Sequence, residues 1–402
     1  MSTRLLESLH LKGVLSFGPQ SSEIRLDNLN VLIGPNGVGK SNFIEALELL
    51  HAAPADFANA VRLGGLPSNW IWHGREGAAF ARLEARLAAA EAIPELRYSI
   101  EFMQVADRLE ITDEILEDVP TDKAPTGDVR FYYRLRGQGG RPTINVRQPP
   151  VGTSNAATYA ARTVGVNPQQ SSLSQIKDPI SFPEFSAVAR RFGNIQLFRE
   201  WGFGRSSVLR VPQPGNLPTD VLLPQLTNLG LVLNELEQRS DLWNRFNGLL
   251  QKFLPQFLRL TIRVAGGAVQ IFLHEKGLGV PVPAARLSDG TLRFLCLLAI
   301  LLSASSASLI CIEEPELGMH PDAMHIVAEL LVEAARQTQL VVTTHSDALV
   351  SDLTEHTEAV LVCDYLKNGT ELRRLEAAKL AHWLGEYRLG DIWRAGKLGG
   401  NP

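Results

Sequence analysis

The 402-residue sequence is 45% hydrophobic and 20% charged, a composition that excludes a globally disordered chain. Its formal net charge of −4 excludes attraction of nucleic acid by the overall field, so such a partner would need a local basic patch. Cys296, Cys311 and Cys363 show no CxxC pairing and are expected to be buried thiols in a reducing cytosol.

The N-terminal part of the chain predicts a strand, a glycine loop and a helix. Met1 to Arg4 lead into mixed residues without the apolar core of a signal peptide, so we expect a cytoplasmic protein. Apolar residues at helical spacing predict a helix from Asn42 to Leu50, and alternating stretches between Ala78 and Val146 predict an antiparallel sheet. Earlier short strands are predicted at Leu5 to Leu11, Ile24 to Leu26 and Leu29 to Ile33.

The remainder predicts a second, mostly parallel sheet. Residues 147–174 are rich in Pro, Gln, Ser, Asn and Thr and predict a long mobile loop, and residues 183–254 predict short helices. A strand pair is expected over 258–273, joined near Gly266 and Gly267. From Leu287 onward helices alternate with apolar strands, which is typical of a parallel sheet.

Residues 294–312 carry no charge and are long enough to cross a bilayer. A serine-rich stretch at 303–308 interrupts them, which favours a buried helix, a short connection and a buried strand from Leu309 to Ile312. We therefore expect no membrane association. The whole pattern predicts an α/β protein with a mostly parallel core sheet and an antiparallel β-lobe in three segments, 1–150, 151–256 and 257–402, the second an inserted helical lobe.

The glycine loop Gly34-Pro35-Asn36-Gly37-Val38-Gly39-Lys40-Ser41 matches G-x-x-x-x-G-K-[ST] at every fixed position. A chance glycine turn is the alternative, but the predicted strand before it and helix after it favour a P-loop. Its backbone N–H groups would converge on phosphates, Lys40 would neutralise the β- and γ-phosphates, and Ser41 would ligate Mg²⁺. The loop therefore predicts binding of ATP with Mg²⁺.

Three further motifs follow in the C-terminal part. In SLICIEEPE (308–316), Glu313 would hold Mg²⁺ and Glu314 would act as general base, although an acidic pair alone is more often a solvated strand end. Ser288 and Gly290 would open a helix as an anion site, or Ser288 is an ordinary N-cap. His345 ends an apolar strand and would sense the γ-phosphate, or it is a structural hydrogen-bonder.

In order, GPNGVGKS, LSDGT, ICIEEPE and TTHS resemble the Walker A, signature, Walker B and switch-histidine motifs of ABC-type ATPases. LHLKGVLSF (9–17) and the GKSNF after the glycine loop resemble the RecF, SMC and OLD-like branch, in particular stand-alone ATPases of prokaryotic defence loci without a Toprim nuclease domain. The resemblance covers both ends of the chain well and residues 51–260 loosely. It implies a P-loop ABC-type head that hydrolyses ATP to ADP and phosphate and forms an ATP-dependent, head-to-tail homodimer.

The resemblance also implies residue roles. Lys40, Glu314 and His345 would be catalytic, Ser41 and Glu313 would hold the metal, and Ser288 and Gly290 would contact the γ-phosphate bound by the opposite protomer. A Q-loop glutamine is expected at Gln175, with Gln169 and Gln170 as alternatives, and Arg62 would be either a basic residue near the phosphates or a surface arginine. The implied nucleotide-binding residues are Gly34, Pro35, Asn36, Gly37, Val38, Gly39, Lys40, Ser41, Asn42, Gln175, Ser288 and Gly290.

Several residues depart from the family patterns and restrict the classes of protein that the sequence fits. Glu313 stands where Walker B usually has Asp, and Asp289 stands where transporters have glycine, which argues against a transporter subunit. Asp364 alone cannot supply a two-metal nuclease site, so we expect none in this chain. We therefore expect ATP to regulate a separate effector, such as a nuclease in anti-phage defence. It would dock on the aromatic tail residues Trp383, Tyr387 and Trp393, which could equally pack on the protein's own core.

Two other functions remain open. A RecF-like, ATP-dependent DNA-binding protein in repair would use a cluster of arginines, although such a cluster is usually a solvated face. A non-hydrolysing nucleotide switch is the other, and Glu314 argues against it. The clustered arginines are Arg190, Arg191, Arg199, Arg205 and Arg210.

Overall fold

The computed structural model describes residues 4–74, 77–90, 93–119, 129–137, 139–148 and 158–399. Backbone packing groups the chain into two units, each assembled from separate segments. Unit 1 comprises Met1–Asp27, Gly34–Ile195 and Leu361–Arg374, and unit 2 comprises Asn28–Ile33, Gln196–Val360 and Leu375–Pro402. The division into three consecutive segments stays a prediction.

The elements are numbered in chain order. The strands are β1 (Leu6–Lys12), β2 (Ile24–Arg25), β3 (Leu29–Ile33), β4 (Ala81–Leu87), β5 (Leu96–Val105), β6 (Arg108–Asp118), β7 (Phe131–Arg136), β8 (Thr143–Gln148), β9 (Thr158–Thr163), β10 (Ile195–Phe198), β11 (Gln213–Pro214), β12 (Phe257–Ala265), β13 (Ala268–Glu275), β14 (Val282–Pro283), β15 (Leu309–Glu313), β16 (Gln339–Thr343), β17 (Val360–Leu366) and β18 (Gly369–Arg374). The α-helices are α1 (Lys40–Ala52), α2 (Phe57–Leu63), α3 (Ser172–Gln175), α4 (Pro183–Gly193), α5 (Leu229–Glu237), α6 (Ser240–Phe253), α7 (Asp289–Leu302), α8 (Met324–Ala334), α9 (Asp347–Asp352), α10 (Ala377–Leu384) and α11 (Leu389–Arg394).

Unit 1 contains an antiparallel sheet with the strand order β2-β1-β4-β5-β6-β7-β8-β9. Alternate residues of β4 are buried, as expected for a sheet with one face on the core. This confirms the antiparallel sheet predicted between Ala78 and Val146. The mobile loop predicted over 147–174 is wrong at β9 and α3, and its residues 149–157 lie outside the described residues. The polar composition of this segment predicted a loop because composition does not show partners. The strand β9 is ordered by its pairing with β8 and by Tyr159, whose hydroxyl donates to Glu184 at 2.9 Å.

A buried carboxyl ties α3 to this sheet. Glu114 on β6 is 1% exposed and accepts hydrogen bonds from Tyr98 Oη (2.7 Å), Ser171 Oγ (2.7 Å) and the Ser172 N–H (2.8 Å). Burial raises the pKa of Glu114, and these three donors oppose the rise. The folded protein therefore holds this proton more tightly than the unfolded chain does.

Glu114→Gln is expected to flatten the pH dependence of stability. Because the pKa of Glu114 is raised in the folded protein, its protonation stabilises the fold. This stabilisation is fully present below the ordinary glutamate pKa and is lost as pH rises through the pKa of Glu114 in the folded protein. Between about pH 5 and about pH 8, the wild-type free energy of unfolding should therefore fall more than that of the variant. Urea unfolding at both pH values measures the difference, with the exposed Glu95→Gln as control. Parallel curves for Glu114→Gln and wild type would contradict the assignment.

Unit 2 contains a sheet with the order β10-β15-β16-β3, in which β15, β16 and β3 are parallel. All residues of β3 and β16 are buried, which is typical of strands covered on both faces. The register pairs Glu313 with Thr343, and Thr343 with Leu32, so these strands end at one edge. Ligand sites of parallel sheets lie at this edge, and β3 is followed in sequence by the glycine loop.

Two other predictions for unit 2 are also confirmed, the glycine turn of the strand pair and the helix, short connection and strand over residues 294–312. The hairpin β12–β13 turns at Gly266 and Gly267, both with positive φ. Residues 294–312 form the buried end of α7, a short 3-10 turn and β15. No helix in the described part of the chain is long and apolar enough to span a bilayer. All three cysteines are buried free thiols, and burial raises the pKa of Cys363 to about 12.

The aromatic tail residues do not share one environment. Trp393 on α11 is fully buried, and α11 packs on α9 so closely that a side chain at Gly390 would overlap the carbonyl of Asp347. In α10 no residue is buried, and Trp383 and Tyr387 are 39% and 49% exposed. Trp393 is therefore a core residue, which leaves Trp383 and Tyr387 for the predicted docking surface.

Candidate nucleotide site

The glycine loop of unit 1 presents positive groups at the start of α1. Gly39 is the N-cap residue with φ +108, no side chain caps the helix, and its first turn holds no acidic residue. Backbone N–H groups at such an end suit an anion. Lys40 is buried, and its Nζ donates to the carbonyls of Gly34 (2.8 Å) and Pro35 (2.9 Å). The loop thus holds the Lys40 cation at the N-terminus of a helix, an arrangement that suits phosphate.

Two glycines of the loop are required for different reasons. A Cβ at Gly39 would overlap Thr370 Oγ1 and Ser16 Oγ, and the same Thr370 hydroxyl donates to the carbonyl of Val38 at 2.6 Å. A Cβ at Gly37 (φ +76) would meet nothing within 4 Å. Gly39 is therefore needed for space and conformation, and Gly37 for conformation alone.

Gly39→Ala is expected to disrupt the loop far more than Gly37→Ala does. Left-handed strain alone at Gly37 costs about 1–2 kcal/mol, whereas Gly39→Ala must also displace Thr370 and should cost roughly 1–3 kcal/mol more. Chemical unfolding and titration with a fluorescent ATP analogue measure both losses. Equal losses in the two variants would show that the packing at Gly39 is unimportant.

The acidic end of β15 brings Glu314 and His345 together. Glu314 has φ +45, a strained conformation for a residue other than glycine, and its N–H donates to the Thr343 carbonyl at 3.0 Å. Its carboxylate is 37% exposed and lies 3.7 Å from His345 Nε2. Strain of this kind clusters at functional sites, so this pair is the strongest candidate for proton transfer in unit 2.

Glu313 has the features of a cation ligand. Its Oε1 is buried without a hydrogen-bond partner among the described residues, and its Oε2 lies 3.5 Å from Arg199 Nε. A buried carboxylate oxygen lacking a donor fits Mg²⁺, a hard cation that prefers oxygen ligands. No group of three or more His, Cys, Asp and Glu side chains in the described ranges could hold a metal. Ser41 is exposed in the first turn of α1, and its role as a metal ligand stays a prediction.

Glu316 fixes the segment that carries the histidine. Its buried carboxylate accepts hydrogen bonds from the His345 N–H and from Thr344 Oγ1, both at 2.8 Å, and burial raises its pKa. The sequence patterns did not predict a role for Glu316. The available signal was the third carboxylate of EEPE, two residues beyond the predicted base.

Glu316→Ala is expected to lower both stability and turnover. It removes the acceptor of the His345 N–H and of the hydroxyl of the buried Thr344, which should cost about 1–3 kcal/mol, and it frees the histidine segment. Glu316→Gln retains an acceptor oxygen and should lose distinctly less. Thermal unfolding and phosphate-release assays of both variants test this, and an alanine variant as active and stable as wild type would refute it.

The signature residues form a capped helix start. Ser288 is exposed, and its Oγ accepts the Thr291 N–H at 3.1 Å and lies 2.8 Å from Thr291 Oγ1, so Ser288 is the N-cap of α7. Its contact with nucleotide stays a prediction. Gly290 is buried, and a Cβ at this position would overlap the carbonyl of Gly318. Asp289 accepts from Arg210 Nη2 at 2.5 Å and from the Gly204 N–H at 3.1 Å, and these bonds lower the pKa of Asp289.

The predicted glutamines lie in one turn of unit 1. Gln175 is exposed, accepts the Asn167 N–H at 2.8 Å and donates to the Gln170 carbonyl at 2.9 Å. Gln170 donates to Asp56 at 2.8 Å, and Gln169 is half-buried. These bonds give Gln175 a role in closing the turn, and its contact with nucleotide stays a prediction. Arg62 is exposed on α2, and its role also stays a prediction.

Three of the five clustered arginines make internal contacts. Arg191 donates to the carbonyl of Ala88 at 2.7 Å, Arg199 pairs with Glu313, and Arg210 pairs with Asp289. Arg190 and Arg205 are exposed. The DNA-binding role of the arginine cluster stays a prediction.

Comparisons with known proteins identify a family and a similar fold for this chain. A family model described as "AAA domain, putative AbiEii toxin, Type IV TA system" matches residues 29–143 and 194–351, more than half of the chain. An Smc head bound to the C-winged helix domain of ScpA is similar in structure, with a TM-score of 0.57, 14% identity and coverage of 93% of this chain and 99% of that chain. An Smc head from Pyrococcus furiosus, with an extended coiled coil and bound to the C-terminal domain of ScpA, is also similar. Its TM-score is 0.54, its sequence identity is 13%, and the match covers 95% of this chain and 99% of that chain. No curated protein matches the sequence. The likeness confirms the predicted fold class, an SMC-head-like α/β fold with parallel and antiparallel sheets.

Proposed function

Because the chain belongs to this AAA-domain family, we propose that it hydrolyses ATP to ADP and phosphate, dimerises head-to-tail around ATP and thereby controls a separate effector. The family and the fold indicate an ATPase. The observation that carries hydrolysis is the strained Glu314, whose exposed carboxylate lies 3.7 Å from His345. A protein that only binds ATP would not require a carboxylate held in this conformation.

Each residue has a distinct task in the proposal. Lys40 and the loop N–H groups bind and orient the phosphates, and Ser41 and Glu313 hold Mg²⁺. Bound Mg²⁺ and ATP supply the phosphoanhydride bond and a cation that neutralises its oxygens. The Glu314 carboxylate accepts a proton from the attacking water, and His345 donates a hydrogen bond to the γ-phosphate.

Two observations support the dimer and the effector. Ser288 is exposed at the start of α7, where a second head can present its nucleotide. Smc heads of this fold are bound to ScpA, a separate protein, and α10 and the turn that follows it expose Trp383 and Tyr387. We therefore assign α10 as the docking surface for an effector, such as a nuclease or another toxin of a defence system.

The test uses the full chain. Phosphate release with Mg²⁺ and a shift from monomer to dimer with ATP in light scattering are expected, and absence of both would reject the proposal. A protein encoded by an adjacent gene should copurify with wild type but not with the double variant Trp383→Ala/Tyr387→Ala. Equal capture by both would reject α10 as the docking surface. ATP-dependent DNA binding that weakens steeply with salt would instead favour the RecF-like function.

A further inference from the structure

The carbonyls of Glu313 and Glu314 are held by side chains from outside β15. Trp201 Nε1 donates to the Glu313 carbonyl at 2.8 Å, and Arg293 Nη1 donates to the Glu314 carbonyl at 3.1 Å. Both bonds lie where the β15 ladder ends and Glu314 takes its left-handed conformation. Two external donors therefore fix the peptide groups on both sides of Glu314's Cα.

The two donors are themselves packed together. The Arg293 side chain is buried, and its Cζ lies 4.9 Å from the centroid of the Trp201 ring and 4.7 Å from that of Phe203. The two rings are stacked 5.9 Å apart with an interplanar angle of 11°. A guanidinium desolvated against aromatic rings gains cation–π attraction. Burial lowers the pKa of Arg293 to about 10, so the group remains charged at neutral pH.

The same aromatic segment is tied to the first turn of α7. Gly204 donates its N–H to Asp289, and Arg210 joins the two by donating to the Gly204 carbonyl at 2.9 Å and to Asp289 at 2.5 Å. Arg293 lies one helical turn after Asp289 on α7. A displacement of this turn therefore moves both donors that hold Glu313 and Glu314.

We propose that Trp201 and Arg293 are positioning residues that hold the Glu313–Glu314 backbone in its hydrolytic conformation and couple it to the signature turn of α7. This rests on the proposed function, in which Glu314 accepts the proton from water. The pair contributes to turnover through Glu314. Its loss should therefore lower kcat, by about tenfold to a hundredfold for a base misplaced by about 1 Å, and leave ATP affinity nearly unchanged.

Conservative variants separate positioning from folding. Trp201→Phe removes the N–H and keeps a stacking ring, and Arg293→Lys keeps the charge without the planar fork. Both should lower kcat by about tenfold or more, with KM and directly titrated ATP affinity within about twofold. Two matched controls should keep wild-type kcat. Trp243→Phe alters another stacked tryptophan, and Arg191→Lys alters a half-buried arginine that also donates to main-chain carbonyls.

A second measurement tests whether the pair acts through Glu314. In a Glu314→Gln background, adding Trp201→Phe should not reduce the residual turnover further, because groups acting as one unit are not additive. A further tenfold loss of turnover in the Glu314→Gln background would overturn the inference. Single variants of Trp201 and Arg293 that keep the wild-type kcat would also overturn it, while an active wild type would leave the proposed function standing. A wild type that releases no phosphate would instead overturn the proposed function.

Discussion

Glu314→Gln is expected to lower kcat for ATP by about 10²–10⁴-fold, the contribution of a positioned general base. The amide cannot accept the proton from water, and the change keeps the size and polarity of the side chain. ATP affinity should be preserved, because Lys40 and the loop N–H groups that bind the phosphates lie elsewhere in the chain. The ATP-bound dimer should therefore accumulate, since hydrolysis no longer releases it.

Phosphate release and light scattering with ATP measure the two effects together. The exposed Glu355→Gln is the matched control and should behave as wild type. A Glu314→Gln variant that hydrolyses ATP at the wild-type rate would show that another group is the base. A variant that is inactive but stays monomeric with ATP would keep the base assignment and contradict the ATP-held dimer.

The parts of the site that could be predicted from sequence are those set by local patterns. The period of the apolar residues placed α1 directly after the glycine loop, and the two apolar runs that end in Glu313 and Thr343 read as buried parallel strands. In each case the chemistry sits within a few residues of the element that positions it. A single window of sequence then contains both the motif and its structural context.

The supporting residues could not be predicted in this way. Trp201 and Glu313 are 112 residues apart, and only the neighbouring positions of β10 and β15 bring them together. The strand β9 was missed for a related reason, because its polar composition resembles a loop until β8 pairs with it. Local composition contains no information about such partners, so positioning residues emerge only from the fold.

The second large effect concerns the proposed sharing of sites between two heads. Lys40→Met should abolish ATP binding, and Ser288→Arg should replace the hydroxyl that is proposed to contact the partner's nucleotide with a bulky side chain. Each variant alone should be inactive. When they are mixed with ATP, half of randomly formed dimers are heterodimers, and each contains one site with an intact Lys40 and an intact Ser288. Phosphate release should therefore recover to about a quarter of the wild-type rate.

The matched control replaces Ser288→Arg with Glu314→Gln in the mixture. Lys40 and Glu314 are proposed to serve the same nucleotide from one chain, so no heterodimer of these variants contains an intact site and no recovery is expected. Recovery in both mixtures would place Glu314 on the partner's nucleotide. Recovery in neither would mean that Ser288 serves its own chain, and the head-to-tail arrangement would then be wrong even if ATP drives dimerisation. The pair of mixtures thus separates dimerisation as such from the exchange of catalytic groups between heads, which is the property that would make ATP a signal of assembly.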